Sequence, residues 1–90
     1  MKESEINIIS PEELPEGWEL KFSSETESDY AAKKDDIKYT LCITKIFNAY
    51  TIDLYEEGDR ISTAILQKLT MKEANVVAIR LMCDVNNGRF

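Results

Sequence analysis

Few side chains in this sequence could do chemistry. Histidine is absent, and the two cysteines, Cys42 and Cys83, lie far apart and in no paired motif. Without an imidazole there is no Ser-His-Asp or Cys-His arrangement, and two thiols alone make no zinc set. What remains is carboxylates and tyrosines. Asp53 and Tyr55 sit two apart, which on a strand points both to one face, but no third group in the sequence completes a mechanism. The reading is of a non-enzymatic chain that holds no cofactor and no metal. Scattered cysteines fit free thiols in a reducing cytoplasm.

Charge narrows the partners. The net charge is −6, and the acidity belongs to the front of the chain: residues 1–30 hold nine acids against Lys2 and Lys21, while residues 31–90 hold nine bases against eight acids. Nucleic-acid binding needs many Lys and Arg to neutralise phosphates, so a pI near 4.6 makes it the less favoured partner. Met1–Ser10 has no apolar run of signal-peptide length, and no stretch is long and apolar enough for a membrane span. Ninety residues suit one domain. Residues 1–17 read as an acidic arm broken by Pro11 and Pro15 and pinned by Ile6, Ile8 and Ile9, and residues 18–90 as a single sheet-plus-helix domain.

The elements that must position these groups are legible from periodicity. Trp18, Leu20 and Phe22 alternate with Glu19, Lys21 and Ser23, the pattern of a strand with one buried face. Tyr30 and Ala32 suggest a short second strand. Ile37–Phe47 is the strongest strand, with Ile37, Tyr39, Leu41, Ile43 and Phe47 on one face and Lys38, Thr40, Cys42, Thr44 and Ile46 on the other. Tyr50, Ile52 and Leu54 alternate next, then Ile61, Thr63 and Ile65. Two-residue turns at Asn48-Ala49 and Glu57-Gly58 would set Ile43 opposite Leu54 and Leu54 opposite Ile61, keeping every apolar residue on one face. The opposite face would carry Thr40, Cys42, Thr44, Thr51, Asp53, Tyr55, Arg60, Ser62 and Ala64. It is small, polar and free to bind.

Thr70-Met71-Lys72-Glu73 fits a capping box, and Gly88 supplies the left-handed residue that ends a helix. Between them Met71, Ala74, Val77, Ala78, Leu81, Met82 and Val85 form a core face. A second stripe of Val76, Ile79 and Cys83 is covered by the arm, simply partly exposed, or a self- or partner-association surface.

Two resemblances follow from these residues. Leu14-Pro15-Glu16-Gly17-Trp18-Glu19 resembles the opening of a WW domain over six residues, without the second Trp or the closing proline. Three strands and a helix over Lys38–Asn87, with Thr70, Glu73 and Ala74 opening the helix, resemble AP2-type and integrase-arm DNA-binding domains. That resemblance implies base or phosphate contacts from the exposed sheet face, here by Lys38, Lys45 and Arg60. The expectation is an α+β fold, an antiparallel meander of four or five strands with one C-terminal helix across one face. The function expected is a cytoplasmic protein-interaction module, a homodimer among its possibilities, with Val76, Ile79 and Cys83 as candidate contacts. The rival is the nucleic-acid-binding accessory domain.

Overall fold

A computed structural model describes residues 8–67 and 70–89. The described residues make five strands and then a helix: β1 (Glu19–Ser23), β2 (Glu27–Lys34), β3 (Ile37–Ile46), β4 (Ala49–Glu56), β5 (Asp59–Gln67) and α1 (Met71–Asn86). The strands pair antiparallel in chain order as one meander sheet, and α1 packs across one face, over β3 and β4. This is the α+β architecture expected. The second strand is longer than its sequence signal, eight residues rather than a short piece around Tyr30 and Ala32.

Tight turns set the sheet's register. Asp35-Asp36 and Glu57-Gly58 both take positive φ at both central positions, the geometry that matches the right-handed twist of paired strands. The β3–β4 turn is Phe47-Asn48 rather than Asn48-Ala49, since Ile46 pairs with Ala49. That slides the pairing by two residues: Ile43 faces Ile52 and Leu41 faces Leu54. A two-residue slide preserves which face each side chain takes, so Ile43, Ile52 and Leu54 stay in the core as expected. Phe47 does not. It becomes a turn residue, 93% exposed.

Two bulges overturn the expected face elsewhere. Between β4 and β5 the register shifts by one after Tyr55↔Arg60, so Leu54 pairs with Ser62 and Ile52 with Ala64. Ser62, Ala64 and Leu66 therefore face the helix, and Ile61, Thr63 and Ile65 turn outward. In β1 a bulge between Leu20 and Phe22 leaves Leu20 on the core side opposite Tyr30 and moves Phe22 to the far face opposite Asp29. One extra residue in a strand inverts all that follows.

The core lies between sheet and helix. Tyr30, Leu41, Ile43, Ile52 and Leu54 meet Ala74, Ala78, Met82 and Val85, all essentially solvent-free. Residues ahead of β1 join it: Ile9 and Trp18 are buried, Leu14 packs alongside, and the Ile9 N–H donates to the Tyr30 hydroxyl at 3.0 Å. Trp18 Nε1–H donates to Asn86 Oδ1 at 3.2 Å and Asn86 Nδ2 donates to the Glu16 carbonyl at 3.0 Å, tying the arm to the end of α1. The expected pinning by Ile6 falls outside the described residues. Both helix ends are closed as expected at Thr70 and Gly88, with the reciprocal capping box present. Beyond the last turn Gly88, at φ 71°, bonds to Val85 and Arg89 bonds to Asp84, the paired bonds of a Schellman motif. Lys34 Nζ, from β2, donates to the Val85 and Asn86 carbonyls at 3.0 Å each. That puts a positive charge where the helix dipole wants one, a role that α1 supplies with no residue of its own.

Candidate functional site

Among the described residues one helix covers one face of the sheet, and the other face is open. Cross-strand pairing fixes what it presents. One row runs Phe22, Asp29, Cys42, Asp53, Thr63. The next runs Glu27, Thr44, Thr51, Ile65, and beyond it come Ile46 and Ala49. Toward the other end lie Glu19, Ala31, Thr40, Tyr55 and Arg60, then Lys33 and Lys38. The expected members Thr40, Cys42, Thr44, Thr51, Asp53, Tyr55 and Arg60 are all there. Ser62 and Ala64 are not, because the β5 bulge exchanges them for Thr63 and Ile65. The face is consequently more apolar than the sequence alternation implies: Phe22 is 51% and Ile65 65% exposed, with Ile46 also solvent-facing.

At its centre, ligand atoms of Glu27, Asp29 and Cys42 lie within 4.8 Å of one another, all three half-buried. One Asp29 oxygen is sealed from solvent and accepts from no N–H or hydroxyl among the described residues. The protons it can meet are those of Glu27 and Cys42. A hydrogen bond to Asp29, then burial, then the Asp29 charge lift the Glu27 carboxyl above its ordinary value. Burial foremost, with Asp29, Glu27 and Asp53 adding to it, pushes the Cys42 thiol up to about 12. Cys42 is thus a neutral thiol at physiological pH, neither a prepared nucleophile nor a prepared thiolate ligand. A metal ion at this set would have two carboxylates at hand but would need to displace the thiol proton. The pair of acids is an i, i+2 spacing on β2, a signal open to sequence reading. Its convergence with Cys42 depends on the β2–β3 register, which no motif announced.

Asp53 accepts from the Thr63 hydroxyl and has Arg60 at a loose 3.9 Å. At the far end Gly17, Glu19, Lys21, Lys33, Lys38 and Glu57 line an open groove of about 560 Å³. Lys33 and Lys38 are directly opposite one another there. The candidate nucleic-acid residues do not gather. Lys38 and Arg60 belong to the open face, whereas Lys45, opposite Tyr50, falls on the side that faces the helix, at the sheet's end. On α1, Val76 and Cys83 are exposed, while Ile79 is half-buried and packs against the core. Both cysteines are free. Cys42 is on the open sheet face and Cys83 on the outer side of the helix, so the whole core separates them.

Comparison with protein-family models, curated proteins and solved structures finds no match for this chain. No described helix is long and apolar enough to cross a membrane.

Proposed function

We propose that the chain is a non-enzymatic protein-interaction module of a reducing compartment, the cytoplasm, and that its contact surface is a neutral corner of the open face formed by Ile46, Phe47 and Ile65. Phe47 carries this reading. It is 93% exposed and holds φ at 54°, a left-handed conformation that is a genuine outlier for a bulky side chain. Positive φ at the first turn position alone is the type II′ pattern, where glycine belongs. A large apolar ring on this tip carries about 1–3 kcal/mol of backbone strain and gains no burial to offset it. Strain of this kind clusters at functional sites, and aromatic anchors dominate interface energies.

Charge points the same way. Ile46–Ile52 and Ile61–Gln67 are the two longest runs without a charged residue in the sequence, and the β4–β5 pairing places them side by side. Phe47→Gly is expected to raise the melting temperature or leave it unchanged while abolishing partner contact. The check is a photo-reactive phenylalanine analogue at position 47 in the source cell, with position 36, in the turn at the sheet's other end, as control. A crosslinked protein band at 47 and not at 36 supports the reading. Equal or absent crosslinking at both sinks it.

A further inference from the structure

Each end of the sheet is a strand edge, and the two edges differ. β1 has five residues, is bulged near Lys21, and carries Glu19 and Lys21. Short length and charge are devices that stop an edge from recruiting another strand; a bulge is a third, and both edge strands carry one, that of β5 falling at Ile61, where its uncharged stretch begins. β5 has nine residues, and from Ile61 to Gln67 it holds no charge, proline or glycine. Among the described residues its outer backbone groups meet no partner. Such an edge is a template for strand addition.

The chemistry of the edge selects the occupant. The molecule carries −6, and the centre of its open face holds Glu27, Asp29 and Asp53, so two copies stacked face to face would repel. A neutral seam is where like-charged copies can meet. The segment Ile61-Ser62-Thr63-Ala64-Ile65 is also nearly palindromic in side-chain size. We propose that β5 pairs antiparallel with β5 of a second copy about a two-fold axis at Thr63. This register sets Ile61 opposite Ile65 of the second copy, Ser62 opposite Ala64, and Thr63 opposite itself. The contact is isologous, each pair occurring twice. Outward residues meet outward residues, so the two sheets join into one continuous sheet with both helices on the same side. The Ile–Ile and Thr–Thr pairings are of the kind that stabilises neighbouring strands. The seam goes beyond the proposed corner: it shares Ile65 with it, but runs along the β5 edge, whereas Phe47 sits in the β3–β4 turn.

Light scattering across a concentration series, from low micromolar to millimolar, is the test. The wild type should rise from the 10.3 kDa monomer toward twice that mass. Ile65→Lys puts a charge at an exposed seam position and should give a monomer with unchanged circular dichroism and melting. Adding Ile61→Glu to Ile65→Lys should restore the dimer through two cross-copy ion pairs. Within one strand those positions are about 13 Å apart, too far to pair internally, so rescue reports contact between copies. Three results would overturn the seam: a wild type that is monomeric throughout, an Ile65→Lys variant that still dimerises, or a folded double variant that stays monomeric. Failure here leaves the Phe47 contact standing, because Phe47 lies outside the seam and crosslinking at 47 is read on the wild-type β5.

Discussion

Glu27 illustrates what a single side chain costs this sheet. Asp29 stands two residues away on the same face of β2, Cys42 faces them from β3, and Asp53 adds its charge from β4. Because the folded state raises the Glu27 value above its ordinary 4.5, ionising Glu27 costs the folded state more than the unfolded one. The penalty is absent well below 4.5, grows as pH rises through the raised folded value, and is full above it. Glu27→Gln is therefore expected to melt higher than wild type at pH 7, with the gap closing on acidification below 4.5. Thermal melts at the two pH values check this; a variant less stable at pH 7 would mean that the carboxylate is held by a cation there. Cys42 sets the complementary expectation at the same cluster: a thiol held at about 12 stays unreactive toward alkylating reagents at neutral pH.

At the scale of elements, α1 was legible end to end. Thr70, Glu73 and Gly88 are local signals, and they act on the residues next to them. Thr70 shows it in energy: removing its hydroxyl by Thr70→Ala is expected to cost about 0.5–2 kcal/mol in urea melts. Glu73 shows it in pH. The Thr70 backbone N–H first, and its hydroxyl second, lower the Glu73 carboxyl. The stability this supplies is present above the ordinary value of 4.5 and is lost as pH falls through the lowered folded value, so wild type should lose more on acidification than Glu73→Ala. Strand faces were legible only where strands are regular. Ile37–Ile43 and Ile52–Leu54 landed as expected because alternation survives a two-residue slide of the turn. Phe22, Ile61 and Ile65 did not, because alternation counts residues and one bulged residue breaks the count. Nothing in the local composition around Leu20–Phe22 or Arg60–Ser62 marks a bulge, for neither holds the glycine that often does. Two different shifts hid the candidate site: the β5 bulge turns Ile65 outward, and the slide of the β3–β4 turn moves Phe47 out of the strand.

For the whole molecule, charge distribution separates the two functional classes. The open face brings Lys33, Lys38 and Arg60 together with Glu27, Asp29 and Asp53, and Lys45 is not on it. A duplex laid along it would meet a carboxylate for each base. No retardation of duplex DNA is therefore expected even at low salt, where phosphate contacts are strongest. A salt-sensitive shift would make the Lys33–Lys38 end of the face a nucleic-acid surface and reverse the choice between the readings. The architecture also explains why a small chain can afford an exposed corner. Its core is closed by the sheet and α1 on one side alone, so changes on the other face leave the buried residues Tyr30, Leu41, Ile52 and Leu54 untouched.

The order of the elements has a consequence for the nascent chain. Every strand pairs with its neighbour in sequence through a short connection, so the sheet can assemble as it leaves the ribosome, while its cover follows all five strands. Until α1 is synthesised and docks, the face built from Tyr39, Leu41, Ile43, Ile52 and Leu54 lacks its helical cover, beside a β5 edge that no other described strand pairs. Transiently exposed apolar surface and an unpaired strand edge are what make a folding chain prone to misassembly, and docking of α1, capped at Thr70 and ended at Gly88, removes the first of these.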